Sequence, residues 1–238
     1  MPASHVSPWP QFLLGVRMFL PVAVSIAAYG VVWGVLAGQA GLGVLEVVLM
    51  SGLVYAGASQ FVAVELWTPG ALPIGTIVFA VAIINLRMLL MSATLRPLFS
   101  DVPRWRALLA MFLVTDEQWA MTMAEMRQGR GSVAFMLGIG ALAWFAWVGA
   151  TLTGRLLGAV IADPATYGLD FAFAATFIAL LLGMWRGRSD LLPWIVAGLI
   201  AIVTARYVPG QWYVIAGGLG GSLAGALNER RRAGADVA

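Results

Sequence analysis

Long apolar runs dominate this sequence, and most polar residues lie in the short stretches between them. About 20 apolar residues in a helix cross a hydrocarbon core of about 30 Å. The pattern predicts an all-α, polytopic integral membrane protein with about six to eight transmembrane segments, some of them broken or re-entrant. We assign 1–16 as a short N-terminal tail, 17–228 as the transmembrane transport domain and 229–238 as a polar C-terminal tail. Eight apolar segments are delimited: 18–39, 47–64, 72–95, 105–126, 132–161, 169–185, 191–205 and 212–228.

Composition excludes several classes of protein. Hydrophobic residues make up 61% of the chain and charged residues 11%, whereas soluble domains carry about 25% charged residues. The chain has no cysteine and one histidine, His5, which excludes thiolate metal sites, a catalytic cysteine and a Ser-His-Asp triad. We therefore expect no metal and no cofactor. The net charge of +3 comes from arginines scattered between apolar runs, so we expect membrane lipid around the chain and no nucleic acid.

The arginines also suggest a topology. If all eight segments cross, basic connections occur on both sides of the membrane and neither side is favoured. If segments 47–64 and 105–126 instead enter and leave on the same side, 11 of the 14 arginines fall on one side. That side would be cytoplasmic, with both termini inside.

Glycines recur every four residues in the first and last segments, at 30, 34 and 38 and at 217, 221 and 225. In lipid, such spacing lets two helix backbones approach closely. Packing within the subunit is the first interpretation, and a seam for a partner chain is the second.

A first polar cluster lies within segment 47–64. Ser51, Tyr55 and Ser59 form a polar stripe at spacings of four residues, and Gly57 can loosen the helix. A broken helix inside a membrane exposes backbone groups only where they line a cavity, and the freed N–H groups suit a carboxylate. The alternative is a packing face of small residues. The candidate solute-binding residues here are Tyr55, Gly57, Ala58, Ser59 and Gln60.

A second cluster is formed by Asn85 and Arg87, deep in segment 72–95. A guanidinium binds a carboxylate through two parallel hydrogen bonds. That carboxylate belongs either to a solute or to Asp116, in which case the pair is a fixed internal ion pair.

A third cluster, Thr115-Asp116-Glu117-Gln118, interrupts segment 105–126 with four polar residues in a row. Adjacent polar groups at the middle of a membrane segment indicate an unwound stretch, a re-entrant turn or a wet cavity. Neighbouring carboxylates repel each other, so one could hold a proton and couple proton movement to solute movement. An extramembrane turn between two half-segments remains the alternative.

The three clusters, in this order, resemble the AzlC-type branched-chain amino acid permeases, which form the larger subunit of the azaleucine-resistance exporter. The resemblance covers about residues 15–225. It departs from the family at two places. Members often carry histidine where this chain has Met88, and they often carry an aromatic residue shortly after Thr-Asp-Glu where this chain has Gln118-Trp119. The matching stretches are Gly15-Val16-Arg17 with Pro21, Gly34-Val35-Leu36-Ala37, Gly41-Leu42, Tyr55-Ala56-Gly57-Ala58-Ser59-Gln60-Phe61, Asn85-Leu86-Arg87 and Thr115-Asp116-Glu117.

The resemblance implies export of branched-chain amino acids, with methionine as a further substrate, across a bacterial cytoplasmic membrane. It also implies a small membrane partner subunit of the AzlD type. Beside it, the residues themselves favour a secondary transporter, since no phosphate-binding G-x-x-x-x-G-K-[ST] motif is present. The solute's carboxylate would meet Arg87 or the N–H groups near Gly57, and its ammonium Asp116 or Glu117. Its apolar side chain would lie against Met88, Met91 or Trp119.

Two other classes of function are weighed against transport. The first is a passive channel or a scaffold subunit. A channel would show rings of identical charge or a filter sequence, and neither is visible. An intramembrane enzyme would need an activating base beside Ser59 or Asp116, and the sequence offers no histidine or cysteine for that role.

Overall fold

A computed structural model describes residues 7–67, 70, 72–158, 178, 182, 185, 187, 190–208 and 212–235. The described chain is helical, with no strand in those ranges. Seven of the eight predicted segments coincide with its helices; the eighth, 169–185, lies almost entirely outside the described residues. The helices are α1 (Pro8–Gln39), α2 (Val44–Leu49), α3 (Gly57–Glu65), α4 (Ile74–Leu95), α5 (Arg104–Phe112), α6 (Asp116–Arg127), α7 (Val133–Gly158), α8 (Leu191–Tyr207) and α9 (Trp212–Ala235).

Within the described residues, three stretches are long and apolar enough to cross a membrane, by length and composition: Pro8–Gln39, Ile74–Phe99 and Val133–Gly158. The third of them, α7, has buried residues along its whole length. The all-α membrane class expected from the sequence is confirmed.

Helices α1 and α9 extend into the stretches assigned above to the two tails. Helix α1 begins at Pro8, because a proline at the first helical position loses no hydrogen bond and has a helical φ already. Helix α9 continues to Ala235 through the arginine run, since arginine and alanine favour helices.

The described chain forms two compact units, a larger and a smaller one. The first ten residues of α4 belong to the smaller unit and the rest of α4 to the larger one. In the larger unit, α1 and α7 run parallel with their backbones in contact. Gly15 lies against the carbonyl of Phe135, Gly34 against that of Thr151, and Gly154 against that of Val31. At the far end, Arg155 donates a hydrogen bond of 2.7 Å to the Leu42 carbonyl. The predicted glycine packing within the subunit is confirmed for α1.

In the smaller unit, α8 and α9 run antiparallel and also bring their backbones close together. Gly217 lies against Ala197 and Ala201, and Gly221 lies against Pro193 and Ala197. The second glycine series thus also packs within the chain.

The segment 47–64 is broken, as predicted. Helix α2 ends in a π-helical turn, Met50–Val54, and Tyr55 then adopts a left-handed backbone with φ 47° and ψ 46°. Ala56 is not helical, with φ −133° and ψ 76°, and α3 starts at Gly57. The break therefore lies one residue before the glycine at which the sequence predicts it. Residues 54–56 are called the first break.

The segment 105–126 is also broken, between Phe112 and Asp116. The Thr115 hydroxyl accepts a hydrogen bond of 3.3 Å from the Gln118 backbone N–H and so caps α6. Threonine is a preferred N-cap because its oxygen satisfies an N–H that the first turn leaves free. Residues 113–115 are called the second break.

Contacts indicate that the chain reverses direction at each break. The Gln60 side chain reaches Ser51 (3.4 Å) across the first break, although nine residues of straight helix would separate them by about 13 Å. At the second break, α6 runs in the same direction as α4. Arg87 pairs with Asp116, and Thr94 bonds Trp119. Helix α5 begins close to the end of α4, and α6 therefore returns toward that same end.

Candidate solute-binding site

A cavity of about 190 Å³ lies where the two breaks meet the middle of α4. The face of α4 that lines it carries Asn85, Met88 and Ser92, at spacings of three and four residues that place them on one side of a helix. The remaining lining residues are Val54, Tyr55 and Ala56 of the first break and Met111, Phe112 and Val114 beside the second. Since pockets for drug-sized ligands occupy about 300–1,000 Å³, this cavity suits a smaller solute.

Tyr55 and Phe112 connect the two breaks. Their ring centroids are 6.2 Å apart with the planes tilted by 34°, a geometry that aromatic pairs favour. Tyr55 is 6% exposed, and its buried hydroxyl has no hydrogen-bond partner in the described part of the chain. A buried hydroxyl without a partner is unusual, and this one belongs to a residue that lines the cavity.

Asn85 connects the cavity to α3. Its side-chain oxygen accepts a hydrogen bond of 2.7 Å from the Ser59 hydroxyl. Ser59 is 1% exposed, so it acts behind Asn85 and does not form the cavity wall. Because the oxygen of Asn85 is occupied, its NH₂ group is left to donate a hydrogen bond.

The start of α3 faces the same region. The first hydrogen bond within α3 runs from the Gln60 N–H to the Ala56 carbonyl, at 2.9 Å, so the N–H groups of residues 57–59 have no partner within the helix. No side chain caps α3, and Ala56 lines the cavity. The N-terminus of α3, which carries these N–H groups and the positive end of a helix dipole, therefore adjoins the cavity at Ala56.

Arg87 and Asp116 form an ion pair with an N–O distance of 2.7 Å. Of the two predictions for Arg87, the structure therefore shows the internal pair. Neither residue lines the cavity; Arg87 is two positions from Asn85 on α4 and so points to another side of that helix. Glu117 follows Asp116 in the first turn of α6, where a negative charge is favourable.

Gln60 and Gly57 face α7. Gln60 is fully buried, and its side-chain oxygen accepts hydrogen bonds from the Ala56 N–H (3.2 Å) and the Trp147 indole (3.1 Å). A Cβ at Gly57 would lie 3.2 Å from the Trp147 ring. These residues shape the first break from behind, and Ala58 lies between them in the first turn of α3.

Two contacts that build the site were not predicted from the sequence. Trp144 donates a hydrogen bond of 3.0 Å to the Gly52 carbonyl, inside the π-helical turn. Gln118 is fully buried and donates to the Met136 carbonyl at 2.6 Å, tying α6 to α7.

Two of the three residues expected against the solute's apolar side chain lie elsewhere. Met91 packs in a core cluster with Trp119 at its edge. Neither of these two lines the cavity, unlike Met88.

Comparisons with known proteins identify the family of this chain. The family model described as AzlC protein matches residues 21–161. A membrane protein of Archaeoglobus fulgidus is 31% identical over 75% of this chain and 78% of its own length. Inner membrane protein YgaZ of Escherichia coli is 29% identical over 85% of this chain and 88% of its own.

A more distant relative has a functional name. The branched-chain amino acid transport protein AzlC of Bacillus subtilis is 22% identical over 74% of this chain and 69% of its own length. No solved structure matches the chain. The family match spans more than half of the sequence, and the chain belongs to the AzlC family of membrane transport proteins.

Proposed function

We propose that this chain is a secondary transporter that exports branched-chain amino acids, with methionine as a further substrate. The observation that carries the proposal is the cavity between the two helix breaks, which combines apolar walls with free hydrogen-bond donors. Transporters commonly bind solutes at discontinuous helices, where half-helix N-termini meet anionic groups. The name of the Bacillus subtilis relative supports the same class of solute.

In this proposal the solute carboxylate lies at the N-terminus of α3 and meets the Tyr55 hydroxyl and the Asn85 amide. The aliphatic or thioether side chain lies against Met88 and Phe112, which line the cavity. Ser59 positions Asn85 through its 2.7 Å hydrogen bond.

The charged groups of the second break take the coupling role. Glu117 and Asp116 are the candidates for the solute ammonium or for a coupled proton. Arg87 pairs with Asp116 at 2.7 Å and so competes with the solute ammonium or the coupled proton for this carboxylate, since one carboxylate cannot neutralise two cations fully. Gly57 and Gln60 hold the first break, and Thr115 caps the helix that presents the carboxylates.

The proposal also includes the setting of the chain. It lies in a bacterial cytoplasmic membrane as a multi-pass protein and works with a small AzlD-type membrane subunit. The relatives named as membrane and inner membrane proteins support that location.

The test is efflux of labelled leucine, isoleucine, valine and methionine from proteoliposomes containing the full chain, with and without the small subunit and with an imposed pH gradient. We expect saturable efflux that competes among these four and leaves labelled lysine and aspartate behind. Asn85→Ala is expected to raise the KM, while Gln128→Ala, at an exposed position beyond α6, serves as the matched control. Unsaturable flux would instead indicate a passive channel.

A further inference from the structure

Among the backbone groups that the first break separates are one donor and one acceptor that a continuous helix would pair. In an uninterrupted helix the Ala56 N–H would donate to the Gly52 carbonyl, four residues earlier. Here the Gly52 carbonyl accepts from the Trp144 indole at 3.0 Å, and the Ala56 N–H donates to the Gln60 side-chain oxygen at 3.2 Å. Two side chains thus replace one missing backbone hydrogen bond.

Both replacement partners are firmly held. Gln60 is fully buried and also bonds Trp147 (3.1 Å) and Ser51 (3.4 Å). Trp144 and Trp147 stand one turn apart on α7 and therefore lie on the same side of that helix. Helix α7 consequently contacts the chain on both sides of the first break.

The backbone of the first break does not favour its own conformation. Tyr55 is the one non-glycine residue of the described chain with a positive φ, a region that disfavours side chains with a Cβ. The π-helical turn before it is a rare form that occurs mostly at functional sites. Without outside partners, the continuous helix would be the better local structure.

We propose that Trp144 and Gln60 are positioning residues that set the equilibrium between this broken helix and a continuous one. The broken form carries the cavity, since Tyr55 and Ala56 are part of its wall. In a continuous helix Gly52, Ala56 and Gln60 would share one face. Gly52 already faces Trp144 of α7, so in such a helix Ala56 would turn away from the cavity toward α7.

The test measures how fast a hydrophilic maleimide labels the full-length Ala56→Cys chain in lipid nanodiscs without solute. The natural chain has no cysteine, so the introduced thiol is the sole target. Adding Trp144→Phe keeps the ring but removes the indole N–H. An unpaired buried carbonyl shifts the equilibrium constant between the two forms by about five- to 150-fold, so we expect slower labelling, by at most that factor. An unchanged rate would overturn the proposal.

Trp33→Phe is the matched control. Trp33 is also fully buried in the larger unit, and its indole nitrogen has no partner in the described part of the chain. Removing that N–H breaks no hydrogen bond, so the labelling rate should stay within about twofold of the parent. Equal slowing in both variants would show general loosening of the core and refute the proposal.

A second pair of variants guards against misfolding of Trp144→Phe. In that background, Tyr55→Gly and Tyr55→Ala both remove the ring, but only glycine relieves the left-handed strain. We expect labelling about five- to tenfold faster with glycine than with alanine. Equal rates would mean that the break is not in equilibrium with a helix.

The role in transport rests on the proposed function and has its own readout. If only the broken form binds solute, Trp144→Phe raises the KM for leucine and keeps the maximal rate, because saturating solute restores the competent form. Loss of active protein would lower the maximal rate at constant KM and count against the proposal. Labelling needs no solute, so expected labelling changes in a chain that moves no amino acid would support the switch and reject the proposed function alone.

Discussion

Gly154 offers a direct test of the contact between α1 and α7. A Cβ at this position would lie 2.8 Å from the carbonyl carbon and 2.9 Å from the Cα of Val31, and closer still to the Val31 oxygen. These are backbone atoms, so no side-chain rotation can make room. Gly154→Ala therefore forces the two helix backbones apart where membrane helices depend on close van der Waals packing.

The expected magnitude follows from a comparison within α7. Gly149 lies in the same helix, yet a Cβ added to it would meet nothing within 4 Å. Both alanine substitutions gain about 0.5–1 kcal/mol from lower backbone entropy in the unfolded chain. Only Gly154→Ala also incurs overpacking, which costs about 1–3 kcal/mol. The difference between the two variants is therefore about 1–3 kcal/mol in unfolding free energy.

Thermal unfolding in detergent, followed by size-exclusion chromatography, measures this difference. For a chain of this size 1 kcal/mol corresponds to about 2–4 °C. We expect the Tm of Gly154→Ala to lie about 2–12 °C below that of Gly149→Ala, which should match or exceed the parent. If both variants unfold at the same temperature, the helices do not touch at Gly154 and the parallel α1–α7 pair is wrong.

Three further outcomes are expected. Asp116→Asn abolishes or uncouples efflux. In free energy of unfolding, the double variant with Arg87→Gln loses less than the sum of the two single losses. Because the two side chains are 38% and 46% exposed, a double-mutant cycle should give a coupling of at most about 1 kcal/mol. Ser59→Ala raises the KM about two- to tenfold, since Asn85 loses one hydrogen bond, while Ser59→Thr keeps it; equal KM values in both would contradict this. Glu125→Ala leaves exposed Arg130 without its carboxylate partner and lowers the Tm, which unfolding in detergent checks.

The two helix breaks could be predicted from the sequence because each carries a local chemical mark. Thr115 precedes Gln118 by three residues, a spacing typical of a helix start. Small residues around Gly57 mark the first break. The apolar segments were predictable for a related reason, since the length of a membrane span limits the choice of boundaries.

The partners that stabilise the first break could not be predicted. The Trp144 indole reaches Gly52 across 92 residues of sequence, and the Trp147 indole reaches Gln60 across 87. A tryptophan in an apolar segment is equally compatible with lipid, core or interface. No local pattern shows where its N–H points, so only the three-dimensional contact separates these cases.

The reversal at the second break is the feature on which the membrane topology depends. The parallel registers of α4 and α6 place the Arg96–Phe99 turn and the end of α6 on the same side of the larger unit. Helices α1 and α7 also run parallel, so Gln39, at the end of α1, lies on the opposite side from the start of α7. The arginines at 96, 104, 106, 127 and 130 then share one side, in agreement with the positive-inside rule.

Single cysteines can test this arrangement, because the natural chain contains none. Ser100, Gln128 and Gln39 are all exposed. In right-side-out vesicles, a membrane-impermeant thiol reagent should give the same labelling result, labelled or unlabelled, for Ser100→Cys and Gln128→Cys. It should give the opposite result for Gln39→Cys. If Ser100→Cys and Gln128→Cys are labelled from opposite faces, segment 105–126 crosses the membrane completely. The second break would then be a kink in a spanning helix, and α6 could not return its carboxylates toward the end of α4.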